Sequence, residues 1–370
     1  MGVVELAFRR ERTFRRTLAV KRLQEQLATD PAARAQFERE ARFSTLIRHP
    51  NVVEVIDVGS DEDGGYLVMD YVSGVSLREL MTTIGAGLPV QHALHVACAV
   101  ARGLDAVHTL RDGEGTLLKL VHRDVTPSNV LIDFHGVPRL SDFGIARMER
   151  DHRTQEIIRG TSGYISPEQF RFEPVDARAD LFSLGVLLYE MLSGERLYGD
   201  DDTNAAAART LREAAPDLRT KRTDVSEPLG ALVAALLDKD PAQRPQTARE
   251  VTRTLELERR ALVRASGSED FAEFLEFHLA SKFDAQRAWL LERWESVGQD
   301  APDDGVLRGA AVPSVSAVQA ASGQVAVPVR RRSNSARWVL VALVALVALG
   351  LLGWSFLDRA PRTETHAPSV

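Results

Sequence analysis

The chain has 370 residues, 44% of them hydrophobic and 26% charged, with a formal net charge of −6. That length allows more than one domain with a core of its own, and the ordinary composition excludes a fibrous or wholly disordered chain. The net negative charge gives no electrostatic reason to expect nucleic acid as a partner, and a single cysteine, Cys98, excludes an internal disulfide and fits a reducing compartment.

The start, MGVVEL, carries no signal peptide and matches a myristoylation site only at Gly2, because position 6 is Leu. RRTLAVKRL alternates as a strand. Asp30-Pro31 supplies an N-cap and first-turn pair for a helix from about Ala32 to Ile47, which His49-Pro50 ends. NVVEVIDVG and GGYLVMDYV then read as strands paired across the Gly64-Gly65 turn. From about Leu77 the apolar spacing becomes helical, in GLPVQHALHVACAVARGLDAVHTL, DLFSLGVLLYEMLSGE and PLGALVAALLDKD. Cys98 falls in the first of these as a small buried residue. A small strand-rich lobe followed by a larger helical lobe is expected.

Residues 247–298 remain helical, and the aromatics of FAEFLEFHLASKF recur at helical spacing as a packing face. Residues 299–337 are rich in Ala, Val, Pro, Ser and Gly without periodicity. They read as a flexible linker with an end-to-end distance on the order of 30–40 Å. Residues 338–357 are then uncharged throughout and built mainly of Val, Ala and Leu. As a helix they span about 30 Å, the thickness of a bilayer's hydrocarbon core. Arg330, Arg331, Arg332 and Arg337 precede this run, against Arg359 and Arg362 after it, which places the N-terminal side in the cytoplasm. The tail 358–370 is too short to form a domain.

Three strings in register carry the chemistry: VHRDVTPSNVLI, LSDFGIAR and GTSGYISPEQ, spread from residue 121 to residue 169, with AVK upstream. Together they resemble the eukaryotic-type (Hanks-type) bacterial serine/threonine protein kinases over roughly residues 1–260. The resemblance implies an α+β, two-lobed fold with an N-lobe at about 1–72 and a C-lobe at about 73–260. Residues 261–298 then form a helical extension, followed by the linker, a transmembrane helix at 338–357 and a short extracytoplasmic tail. It also implies transfer of the γ-phosphoryl group of Mg²⁺-bound ATP to Ser or Thr hydroxyls of protein substrates.

The same resemblance implies a role for each matching residue. Lys21 contacts the α- and β-phosphates and pairs with Glu40. Met69 is the gatekeeper of a hinge at Asp70 to Val72 that meets the adenine. Asp124 orients the substrate hydroxyl, while Asn129 and Asp142 ligate Mg²⁺. Asp180 braces the catalytic loop and Arg244 pairs with Glu168. Arg123 beside Asp124 marks the class whose activation loop is phosphorylated, with Thr154 as the switch and Thr161 lining the substrate site.

Two departures from the family pattern stand out. Only Gly2 remains of the Gly-rich phosphate loop, so the chain reads as truncated within that loop at an internally chosen start codon. Thr126 stands where these kinases usually carry a Lys that meets the γ-phosphate, a change that removes a cation from the site. Both favour an alternative reading, a membrane-tethered pseudokinase that binds ATP or protein. Ala342, Ala345 and Ala348 permit close helix contact and leave a homodimer open.

Overall fold

β1 (Val4–Glu11) and β2 (Phe14–Arg22) form an antiparallel pair in which Val4 faces Lys21 and Glu11 faces Phe14. The computed structural model describes residues 4–11, 14–22, 41, 43–61, 64–142, 162–199, 203–267, 269–297 and 306–311. In β1, Leu6 and Phe8 on one face and Ala7 on the other are all buried, so this strand is covered on both sides. β2 continues the sheet through β4 (Gly64–Asp70) to β3 (Val55–Asp61). Ala19 and Lys21 lie two apart on one face of β2, opposite Met69 and Leu67 of β4. A small core of Ala19, Ala41, Val53, Val55, Leu67 and Met69 underlies that face.

These elements agree with the expected small lobe, with boundaries moved. The strand anticipated from Asn51 begins at Val55, because Asn51 and Val52 are engaged elsewhere: Val52 bridges Leu140, and the Asn51 amide donates to the Pro138 carbonyl at 3.0 Å. The body of the helix expected at 32–47 lies outside the described residues; positions 41, 43 and 44 are helical.

A second sheet of β5 (Gly74–Ser76), β6 (Val130–Asp133) and β7 (Pro138–Leu140) floors the space between the lobes. Gly74 is required there, since a Cβ would lie 1.9 Å from the Ile132 carbonyl oxygen. The larger lobe comprises α1 (Leu77–Ile84), α2 (Val90–His108), α3 (Pro167–Phe170), α4 (Ala177–Ser193), α5 (Thr203–Arg212), α6 (Leu218–Lys221), α7 (Glu227–Leu236), α8 (Ala248–Ser266) and α9 (Phe271–Val297). Ser76 and Glu79 close a capping box on α1. α4 is buried on every side from Ala179 to Met191, as a helix that is apolar all round must be, and α2 packs on it. Cys98 of α2 is buried, and burial pushes its thiol up to about 11.

The helical stretch after residue 247 is two helices. Gly267, with φ near 82°, ends α8. Phe271, Leu275, Leu279 and Phe283 make a buried stripe on α9, whereas Phe277 is 84% exposed. One part of the expected linker also differs: Val306–Ala311 is a strand, β8, antiparallel to β1 with Phe8 opposite Leu307. The bare outer edge of β1 offers unpaired N–H and C=O groups, and an extended segment satisfies them without needing a side-chain pattern. Residues 1–312 form one unit and 313–370 a second, and every described residue belongs to the first. Among the described residues no helix is long and apolar enough to cross a membrane; 338–357 lies outside them.

One buried ion pair ties the lower part of the large lobe together. The Arg244 guanidinium makes a two-pronged contact with Glu168, both bonds at 2.8 Å, and also donates to the Asp238 and Arg178 carbonyls. Both side chains are sealed from solvent. Removing one partner strands a charge in the interior, so Glu168→Ala is expected to destabilise the protein by about 3–5 kcal/mol in urea unfolding. The double variant Glu168→Ala, Arg244→Met is expected to lose clearly less than the sum of its two single changes.

Candidate active site

The β6–β7 pairing builds the site. Val130 faces Leu140, so the residues flanking that pair, Asn129 and Ser141, are forced together although they lie far apart in the chain. The Ser141 N–H donates to the Asn129 carbonyl at 2.8 Å, which sets Asp142 beside Asn129. The Asn129 amide nitrogen reaches back to Asp124, donating to its carbonyl at 2.9 Å and to its carboxylate at 2.8 Å. From the other lobe, Lys21 extends from β2 and donates to the Asp142 carboxylate at 2.5 Å. A lone ammonium on the apolar face of a sheet needs such a partner, and both side chains keep about a third of their exposure. Lys21 and Asp142 are thus joined to Asn129 and Asp124 through the Ser141 backbone, across the two lobes.

Asp180, fully buried at the start of α4, holds the loop that carries Asp124. Its carboxylate accepts from the backbone N–H of His122 at 2.8 Å and of Arg123 at 2.7 Å, and meets His108 Nε2 at 2.8 Å. Arg123 sits in the left-handed region, with φ near 65°, and Asp142 does too, with φ near 56°. Such backbone persists only where surrounding bonds over-determine it, which Asp180 does for Arg123. Burial alone would raise the Asp180 carboxyl, but the His108 bond and the neighbouring His122 and backbone donors bring it below its ordinary value.

His122 is also enclosed. Its Nδ1 accepts from the Asp124 N–H at 3.2 Å, which leaves Nε2 to donate to the Ser141 carbonyl at 3.0 Å. The ring therefore links the Asp124 loop to the residue before Asp142. Beside this loop the Arg78 N–H donates to the Pro127 carbonyl at 2.9 Å, and its guanidinium donates to the Tyr164 hydroxyl, also at 2.9 Å. Tyr164 in turn donates to buried Glu190, whose carboxyl burial pushes up.

Met69 and Asp70 end β4, and Asp70 pairs with Arg16 at 2.6 Å. Val72 lies two residues on, packed against the small-lobe core. Thr126 is buried, and among the described residues its hydroxyl has no hydrogen-bond partner. Gly2, Glu40, Thr154 and Thr161 lie outside the described residues. Sequence reading passed over His108, Ser141 and Arg78. No local string marks His108 or Arg78, and Ser141, though inside LSDFGIAR, shows its role only through its bonds to Asn129 and His122.

Among the described residues no three His, Cys, Asp or Glu side chains gather around a metal position. The carboxylate of Asp142 and the amide oxygen of Asn129 nevertheless suit a hard cation that takes its remaining ligands from phosphate and water. Burial holds His122 neutral, with its pKa below the ordinary 6.5. The unfolded chain takes up that proton near 6.5 while the folded one resists it, so this stability is present above 6.5 and lost as pH falls below it. Unfolding free energy is expected to fall with a slope of about 1.4 kcal/mol per pH unit below that point from this group, and His122→Asn should remove that share of the slope in urea titrations at stepped pH.

Comparison with known proteins agrees with this geometry. Residues 1–255 match the protein kinase domain family. The serine/threonine-protein kinase PknB of Mycolicibacterium smegmatis is 37% identical over 259 residues, covering 68% of this chain and 40% of that protein. PknB of Mycobacterium tuberculosis is 36% identical with the same coverage. The chain thus spans about 40% of the length of these curated relatives. The crystal structure of the Mycobacterium tuberculosis PknI kinase domain superimposes with a TM-score of 0.53 at 27% identity, over 69% of this chain and 91% of that one. With an antiparallel-sheet small lobe, a helical large lobe and a family match over most of its length, this chain belongs to the protein kinase domain family.

Proposed function

We propose that the chain is a serine/threonine protein kinase that transfers the γ-phosphoryl group of ATP to protein hydroxyls. The observation that carries this reading is the linkage from Lys21 to Asp142 and, through the Ser141–Asn129 backbone bond, from Asn129 to Asp124, which gathers one cation, two carboxylates and an amide between the lobes. ATP lies in that cleft, its adenine against Met69, Asp70 and Val72 and its phosphates reached by Lys21, with Glu40 as the lysine's second partner and Gly2 in the phosphate loop. Asn129 and Asp142 hold Mg²⁺, which neutralises phosphate charge. Asp124 accepts the substrate hydroxyl's proton as its oxygen bonds to the γ-phosphorus and the bond to the β–γ bridging oxygen breaks, releasing ADP. Arg123 receives the phosphate of a modified activation loop, with Thr154 as its source and Thr161 beside the substrate.

The apolar run 338–357 anchors the protein as a single pass in the cytoplasmic membrane, with the kinase domain on the side of Arg330, Arg331, Arg332 and Arg337. Phosphate incorporation from labelled ATP into a serine-containing protein checks the catalytic reading. Asp124→Asn is expected to lower transfer about 100- to 10,000-fold with the thermal midpoint unchanged. An equal rate in that variant, or no transfer by the unaltered chain, defeats the proposal.

A further inference from the structure

The helix α9 lies beyond the family match, which ends at residue 255, and it touches the large lobe, the connection between the lobes and the small lobe in turn. At 27 residues it is roughly 40 Å long. Its foot is sunk in the large lobe: Phe271, Leu275, Leu279 and Phe283 join the main core, and the Phe283 ring lies 4.5 Å from that of Phe134 beyond β6. Lys282 donates to Thr83 of α1 at 3.2 Å and lies 3.7 Å from Glu79. At its waist, Gln286 donates to the Tyr71 hydroxyl at 2.7 Å. At its top, the Trp294 indole donates to Thr17 of β2 at 3.1 Å and sets its ring edge-on to Phe8 of β1, 4.7 Å between centres.

Tyr71 stands between Asp70 and Val72, in the segment that joins the two lobes. Burial pushes its phenol up to about 12, so it stays a neutral donor and acceptor throughout the physiological range. Opening of two lobes about a short connection is absorbed by a few backbone torsions in that connection. Here a rod fixed to the large lobe grips the connection at Tyr71 and the small lobe at Thr17 and Phe8. β8 then extends the hold along the outer edge of β1.

We propose that α9 is an intramolecular strap that sets the angle between the lobes, with Gln286 and Trp294 as positioning residues for the nucleotide cleft. Gln286 acts through Tyr71, and Trp294 through Thr17 and Phe8. The proposal rests on the reading of that cleft as the ATP site, and it concerns only how the cleft is held.

The test uses the full chain carrying Gln286→Leu or Trp294→Phe. The second change keeps an aromatic ring beside Phe8 while removing the indole N–H bond and part of the ring's area. Phe277→Ser, on the exposed outer face of α9, serves as the control. Hydrogen exchange reports on residues 70–72 and on β1 and β2 without any need for catalysis, and steady-state kinetics report KM for ATP against kcat. Both variants are expected to exchange at least 5-fold faster at 70–72 and to raise KM for ATP 3- to 10-fold, with kcat at saturating ATP within 2-fold of the parent. The control should match the parent in both measurements. Unchanged exchange at 70–72 overturns the strap, as does a fall in kcat with KM unmoved, which is the mark of fewer folded molecules. Faster exchange in the variants of a parent chain that transfers no phosphate upholds the strap and removes the kinase reading instead.

Discussion

A buried carboxylate with three partners holds the site in shape. Asp180 is sealed in the large lobe at the head of α4 and receives two consecutive backbone N–H groups, those of His122 and Arg123, together with the His108 ring. A carboxylate in that position without donors would be costly, so the protein cannot relax the loop without stranding it. That cost is what keeps Arg123 in a left-handed conformation that an isolated chain avoids, and it fixes where the next residue, Asp124, points. α4 can bear this load because it is surrounded by core on all sides.

The second constraint is a strand register. Pairing Val130 with Leu140 brings Asn129 beside Ser141, and His122 fastens the same place from behind by accepting from Asp124 and donating to Ser141. The loop and the strand end therefore move as one piece. Lys21 arrives from the other lobe, so the charge pattern of the site depends on the angle at which that lobe sits.

Much of this was legible in the sequence, and the reason is local spacing. Asp124 and Asn129 sit five apart on one loop and Asp142 stands two before a glycine, so short strings display them. Lys21 sits in a strand whose alternation is visible, and the lobes follow from a period of two giving way to one of 3.6. What stayed hidden depends on contacts between distant positions. His108 and Asp180 are 72 residues apart, and Tyr71 and Gln286 are 215 apart. β8 was hidden for a different reason: its pairing uses backbone groups at a free strand edge, which impose no pattern on the residues that fill it. The division between α8 and α9 was hidden because the two share one periodicity, broken at Gly267.

A long helix lies across both lobes. Among the described residues the small lobe's own cluster holds six residues, whereas the large lobe's runs from Val75 to Phe283 and takes in most of its helices. The face that carries Ala19 also carries Thr17 and, paired with it, Phe8. Phe8 is sealed there, and the ring set against it is Trp294. The foot of the same helix stands in the larger core, so the weaker lobe leans on the stronger one through α9 as well as through the connection at Tyr71. β8 follows α9 in the chain and lies on the outer edge of β1, so α9 meets the face of the small lobe's sheet at Phe8 and Thr17 while β8 takes its edge. Loosening the upper half of α9 would therefore expose Phe8 and free that edge together, while the large-lobe core, anchored at the other end of the helix, would keep its packing.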